Sequence, residues 1–182
     1  MTSKPRQRNI PKEKFVVRDI EISNVTLREL LEKDVTIILK EFGTRPTVEL
    51  RRDNQGVAIG FLIKLTLNDW LGAYKVEIIE KVKKKGNFLA VTKYRYALSP
   101  IYDQNDFFRF DHDSHLDPEY PAEHINADET KYHKSHFTFP YDLDVDLQKV
   151  NTGNMITAIR YYLKDNVHPV VDRGREYIQI IQ

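Results

Sequence analysis

The 182-residue chain has no cysteine, only seven glycines and no long apolar run. Without cysteine it cannot form disulfides, a cysteine-based zinc finger or a thiol nucleophile. The scattered glycines form no phosphate-binding loop or dinucleotide fingerprint, and there is no serine-centred nucleophile elbow. No apolar segment approaches the roughly 20 residues that span a bilayer, and the amino-terminal segment lacks the apolar core of a secretory signal. The composition therefore predicts a cytoplasmic protein with no membrane partner.

The net charge of +1 hides a strong division along the chain. Residues 102–146 contain 12 acidic and three basic residues, whereas the remainder contains 15 acidic and 25 basic residues. Such a division fits nucleic-acid binding at one surface and metal or cation binding at another. It fits equally well a mixed-charge surface that keeps the protein in solution.

The hydrophobic pattern predicts a flexible basic arm at residues 1–14, followed by a single α+β domain at residues 15–182. A capping box starts a helix near residues 26–41, and a second helix is expected over about 147–165. Between them, apolar and polar residues alternate along segments separated by short turns. This pattern is typical of an antiparallel β-meander of four to six strands flanked by two α-helices. A last short strand is expected at residues 177–181.

The alternation assigns the residues of the meander to two faces. Tyr94 and Tyr96 fall on the apolar face, so we expect them to pack in the core. The opposite face should present charged side chains together, namely Lys75, Glu77, Lys93, Arg95, Arg109 and Asp111. Such a face is either an ordinary solvated surface of paired charges or the floor of an anion-binding pocket.

Five of the six histidines lie in the most acidic part of the chain: His112, His115, His124, His133 and His136. Residues 112–141 show no periodicity and contain three prolines, so we expect a long histidine-rich loop that folds back over the charged face. Imidazole titrates near neutral pH and is a common metal ligand. Histidines beside carboxylates and arginines therefore indicate either an acid–base site or a metal site.

Two strands of this region resemble those of the TumE family, the toxin components of prokaryotic toxin–antitoxin pairs. The shared pattern is a Lys-Tyr-Arg-Tyr strand at residues 93–96, a Phe-Arg-Phe-Asp strand at residues 108–111, and histidines after it. The resemblance covers residues 65–136 and implies a toxin-like, nucleic-acid-directed role with an antitoxin protein as a partner. It points to Glu77, Tyr94, Arg95, Tyr96, Arg109, Asp111, His115 and His124. The chain lacks the family's tight Pro-His-His and His-Lys-His clusters.

Three hypotheses of function follow. The first is a ribonuclease-like enzyme, in which loop histidines move protons and sheet arginines stabilise the charge that develops on phosphorus. Its proposed catalytic residues are Arg95, Arg109, Asp111, His115, His124, His133 and His136. This enzyme needs no metal or other cofactor.

The second hypothesis is a divalent metal site. His112 and His115, like His133 and His136, are three residues apart, and His124 with a nearby aspartate could complete a set of nitrogen and oxygen ligands. The aspartates in question are Asp111, Asp113 and Asp117.

The third hypothesis is a binding module without catalysis, with RNA or protein, including a second copy of the chain, as its partner. Lysines would supply the salt-dependent contacts to phosphate. The candidate nucleic-acid-binding residues are Lys75, Lys83, Lys84, Lys85 and Lys93.

Overall fold

The computed structural model describes residues 20–23, 26–69, 72–102, 108–113, 123–132, 136–137 and 150–165. The strands are β1 (Ile20–Ser23), β2 (Thr47–Arg52), β3 (Ala58–Asp69), β4 (Gly72–Lys85), β5 (Phe88–Pro100), β6 (Phe108–Asp113), β7 (Glu123–Ala127) and β8 (His136–Phe137). The helices are α1 (Leu27–Phe42), the single-turn α2 (Glu129–Tyr132) and α3 (Thr152–Asp165). No helix within these ranges is long and apolar enough to cross a membrane.

Helix α1 begins and ends with local signals that the sequence already contains. The Thr26 hydroxyl accepts a hydrogen bond from the backbone N–H of Glu29, and the Glu29 carboxylate accepts one from the backbone N–H of Thr26. This reciprocal pair satisfies two N–H groups that have no partner inside the helix. At the other end Gly43 adopts a left-handed conformation, φ 63°, and donates to the carbonyl of Leu39. The two signals fix where α1 starts and stops.

All strand pairs in the described sheet are antiparallel, and strands β2 to β8 lie side by side in chain order. Strand β5 is long enough to hold two neighbours on one edge: β1 pairs with residues 88–91 and β6 with residues 93–98. Short turns connect the long strands, which is the simplest connection for antiparallel neighbours.

One face of the sheet packs against α1 and α3. Side chains at alternate positions of β3, β4, β5 and β6 are buried there, and they meet apolar residues of the two helices. The ring of Tyr162 on α3 makes edge contacts with Tyr74 on β4 and Phe108 on β6, with centroids 5.6 and 5.8 Å apart. The core is therefore a two-layer arrangement of helices on one side of a sheet.

These observations confirm the α+β class, the antiparallel meander and the two flanking helices. Strands β2 to β6 form the expected meander, and the short β1, β7 and β8 bring the described sheet to eight strands. Tyr94 and Tyr96 face the core, as the alternation predicts. The expected basic arm at residues 1–14 and the last strand at residues 177–181 lie outside the described residues.

The expected loop at residues 112–141 needs correction. Residues 112 and 113 are the last two of β6. Residues 123–127, 129–132 and 136–137 form β7, α2 and β8. Strand β7 is only five residues long. His124, Ile125, Asn126 and Ala127 alternate in polarity, but so short a run with only two apolar residues is a weak signal for a strand. That is why its pattern did not indicate a strand.

Gly60 on β3 is required by the close approach of the neighbouring strand. A Cβ atom at this position would lie 2.1 Å from the backbone oxygen of Glu80 and 3.1 Å from the Cα of Lys81. Backbone atoms in the middle of a paired sheet cannot move aside without breaking the ladder.

We predict that Gly60→Ala lowers the free energy of unfolding by about 2 kcal/mol or more, because the added methyl overlaps the β4 backbone. Urea denaturation would measure the change. Gly153→Ala is the matched control, since a Cβ there meets only the side-chain oxygen of Asn151 at 3.1 Å. Equal stability of the Gly60→Ala variant and the native chain would contradict the prediction.

Candidate functional site

The face of the sheet opposite the helices carries two adjacent rows of polar residues, which we call the polar face. In the first row the strand register aligns Arg95 of β5, Asp111 of β6 and His124 of β7. In the second row it aligns Ala97, Arg109, Asn126 and, by backbone pairing, His136 of β8. Residues paired across antiparallel strands share a face, so the register alone brings these positions together.

Asp111 is the centre of the polar face. One of its carboxylate oxygens, Oδ2, accepts hydrogen bonds from Nε of Arg109 at 2.7 Å and from the side-chain amide of Asn126 at 2.6 Å. Nη2 of the same arginine lies 2.6 Å from this oxygen. Charge-assisted bonds of this length are among the stronger polar contacts in proteins. Together they hold the Asp111 carboxylate in a defined position.

His124 lies beside this carboxylate. Its Nε2 is 3.9 Å from Oδ2 of Asp111, too long for a hydrogen bond but within reach of an ion pair when the imidazole is protonated. Both His124 and Asn126 are buried, although they lie on the face away from the helices. A buried imidazole next to a fixed carboxylate is an arrangement that acid–base catalysis uses.

The other predicted site residues are distributed as follows. Arg95 and Lys93 are exposed on the polar face, and Lys75 forms an ion pair of 2.9 Å with Glu77 on the same face. Lys83, Lys84 and Lys85 are exposed at the tip of the β4–β5 hairpin. The structure thus brings Arg109, Asp111 and His124 into one cluster. Arg95 lies in the row that contains Asp111 and His124. His115 and His133 lie outside the described residues.

His112 is not on the polar face, which corrects the expectation that it belongs to a catalytic loop. It is 1% exposed and stacks on Tyr94, with ring centroids 5.4 Å apart. Its Nδ1 lies 3.4 Å from a carboxylate oxygen of Glu123, a contact that would be an ion pair only for the protonated ring. Neither ring nitrogen makes a hydrogen bond within the described part of the chain.

The helix-covered side of the sheet contains two buried carboxyl groups, which we call the buried acid pair: Asp34 on α1 and Glu80 on β4. Burial raises the pKa of Glu80 to about 8, and the nearby Asp34 adds to this shift. Burial likewise raises the pKa of Asp34 to about 6, opposed by the Thr152 hydroxyl. The Tyr96 hydroxyl donates a hydrogen bond to Glu80, while the second oxygen of each carboxyl has no partner among the described residues.

The metal hypothesis gains no support from the described residues. His112 and His124 lie on opposite faces of the sheet, so they cannot bind one ion. No group of three or more histidine or acidic side chains in the described ranges is arranged to hold a metal. A set that includes His115, His133 or Asp117 involves residues outside these ranges.

Three residues of these clusters, Asp34, Glu80 and Asn126, are not among the site residues that the sequence predicts. Asp34 lies between Leu30 and Ile38 on the buried stripe of α1, at the four-residue spacing of one helix face. Glu80 continues the buried face of β4 two residues after Ile78, whereas Asn126 lies in the short β7, which the sequence pattern did not indicate. Polar residues at such positions deserve the same weight as apolar ones.

Comparison of the chain with protein-family models, with curated proteins and with solved structures gives no match. The resemblance to the TumE family therefore depends on the sequence pattern of residues 65–136 alone.

We predict that Glu80→Gln stabilises the protein at alkaline pH and much less at acidic pH. The native Glu80 has a raised pKa, so the folded state favours its neutral form. Its contribution to stability is fully present below pH 4.5 and is lost as the pH rises towards 8. Glutamine stays neutral at every pH. The difference in free energy of unfolding between the variant and the native chain should therefore increase in the variant's favour by on the order of 3 kcal/mol from pH 5 to pH 8.5.

Urea denaturation at the two pH values measures this difference. Glu129→Gln is the matched control, because Glu129 is exposed and its side chain is in water in the folded and in the unfolded protein. A difference between Glu80→Gln and the native chain that does not change with pH would contradict the prediction.

Proposed function

We propose that the polar face is an acid–base site for cleaving RNA, in a toxin-like protein that acts in the cytoplasm. The observation that carries the proposal is the fixed Asp111 carboxylate, with Arg109, Asn126 and His124 gathered around it. The resemblance of the two strands to the TumE family favours the toxin-like role and an antitoxin partner.

The cluster has the components that phosphodiester cleavage requires. Asp111 lies within ion-pair reach of His124 and would stabilise its protonated form during the reaction. The guanidinium groups of Arg109 and Arg95 lie in adjacent rows of the same face and supply positive charge for a phosphate. Of the two, Arg95 is the more exposed, so it is the residue we expect to meet the substrate first.

The reaction we propose needs two proton transfers. The ribose 2′-oxygen attacks phosphorus while one group takes its proton, and a second group protonates the leaving 5′-oxygen, which leaves a 2′,3′-cyclic phosphate. His124 is one of these groups. His136 is our candidate for the other, because β8 pairs it with Asn126 and so brings it next to the cluster. The arginines would stabilise the extra charge on the phosphorane.

We predict that the protein cleaves single-stranded RNA in the presence of EDTA, and that His124→Ala lowers the rate by about 100- to 10,000-fold. Asp111→Asn should also lower it, since an amide cannot stabilise the imidazolium. The measurement is the initial rate of cleavage of a labelled oligonucleotide, with analysis of the products for a cyclic phosphate end.

Arg28→Ala is the matched control for this experiment, because Arg28 is exposed on α1 and only pairs with Glu32 one helical turn away. That variant should cleave at the native rate. Undiminished cleavage by His124→Ala would remove His124 from the mechanism, and cleavage that EDTA stops would favour a metal site instead.

A second candidate function is RNA binding without catalysis, which the β4–β5 hairpin favours. Lys81, Lys83, Lys84 and Lys85 are all exposed at its tip. Four neighbouring ammonium groups can contact successive phosphates of a single strand and release the counterions condensed there. In this case the cluster around Asp111 would be a structural ion pair within the binding surface.

We predict that replacing Lys83, Lys84 and Lys85 by alanine weakens RNA binding and makes it less dependent on salt. Removal of three phosphate contacts should reduce the slope of log affinity against log salt by about two. Fluorescence anisotropy with a labelled single strand at several salt concentrations would measure the slope. An unchanged slope would exclude the hairpin as a contact, whether or not the protein also cleaves RNA.

A further inference from the structure

Strand β2 lies at one edge of the described sheet. All six residues of this strand are exposed, and it pairs with β3 on one side only. Among the strands that the structure describes, none pairs with its other edge. An edge strand leaves every second backbone N–H and C=O group without a partner in the sheet, which is a template for another strand.

β2 also extends the apolar face of the sheet beyond the cover of the helices. Val48 and Leu50 pair with Ile63 and Phe61, which are both 0% exposed in the core. Val48 and Leu50 themselves are 38% and 47% exposed, and Leu39 on α1 is 40% exposed. The apolar layer between sheet and helices therefore continues to the surface at this edge.

The charges of β2 do not block the addition of a strand. Proteins protect such edges with charged side chains, lysine above all, with proline or with β-bulges. β2 contains neither lysine nor proline, and its polar face carries one charge of each sign, Glu49 and Arg51, two residues apart. Opposite charges at this spacing are complementary to the same strand running in the opposite direction.

We propose that β2 pairs with β2 of a second copy of this chain, in an antiparallel register centred on Leu50. Leu50 then lies opposite Leu50 of the second copy, and Glu49 lies opposite Arg51 of the second copy. Because a twofold axis relates the two chains, the Glu49–Arg51 pair forms twice. Centring the register on Glu49 or on Arg51 would instead place like charges opposite each other, whereas the register centred on Leu50 pairs both charges with their opposites.

The existing contacts of these residues are compatible with this arrangement. Glu49 already accepts a hydrogen bond from Nζ of Lys64 at 2.9 Å, and the Glu49 side chain is still 50% exposed, so its carboxylate remains accessible. The Arg52 guanidinium donates a hydrogen bond to the carbonyl of Gly56, and Arg52 takes no part in the Leu50–Leu50 and Glu49–Arg51 pairs. The irregularity in the β2–β3 register begins only after Arg51. The three central positions, Glu49, Leu50 and Arg51, therefore lie in a regular part of the strand that a second copy can extend.

The test is a pair of charge reversals followed by mixing. The native chain should sediment as a species of twice its 21.5 kDa mass at a concentration on the order of 100 µM in low salt, because a short interface with exposed ion pairs is weak and salt-sensitive. Glu49→Arg alone and Arg51→Glu alone should each sediment as monomers, since each places like charges opposite one another twice.

A mixture of the two single variants should form a heterodimer, because every pair then joins an arginine to a glutamate. Lys164→Glu, a reversal on α3, should remain dimeric like the native chain and serves as the matched control. Circular dichroism is recorded first, to confirm that each variant is folded before its oligomeric state is measured. A monomeric native chain would overturn the proposal, as would single variants that remain dimeric or a mixture that stays monomeric.

Discussion

The register between β5 and β6 is the constraint on which the rest of the structure depends. It pairs Tyr94 with His112 on the helix side and Arg95 with Asp111 on the polar side. A shift by one residue would move Arg109 and Asp111 into the core and expose Phe108 and Phe110, which are at most 1% exposed. Burial of these two rings therefore fixes the register, and the register in turn assembles the polar face.

The core of this protein contains the ionisable side chains Asp34, Glu80 and His112 as well as apolar ones. The buried acid pair and His112 lie among aromatic rings that stack in sequence, with Tyr96 on Tyr94 at 4.6 Å and Tyr94 on His112 at 5.4 Å. Burial of a charge without a partner costs several kcal/mol, so the carboxyls hold protons more tightly instead.

The sequence predicted most of the fold because its strongest signals are local and periodic. The capping box of α1 and the alternation of β3 to β6 each act within one element, and tertiary packing agrees with them. Strand β7 was missed because it is only five residues long and contains just two apolar residues, so its alternation is too short to indicate a strand. The cluster around Asp111 was predicted in part: alternation placed Arg109 and Asp111 together, but only the β6–β7 pairing brings in His124 and Asn126.

The polar face and the buried acid pair are separated only by the sheet, and their charges act on each other through it. Burial raises the pKa of the Tyr94 hydroxyl far above its ordinary value, and Glu123, Asp111 and Glu80 all add to this effect, although Asp111 belongs to the opposite face. Electrostatic interactions weaken slowly with distance where water is excluded. Removal of the charge of Asp111 therefore changes the electrostatic potential at Tyr94 in the core as well as at the surface. Loss of activity in a variant of Asp111 identifies a catalytic role only if its stability, measured at the same pH, is that of the native chain.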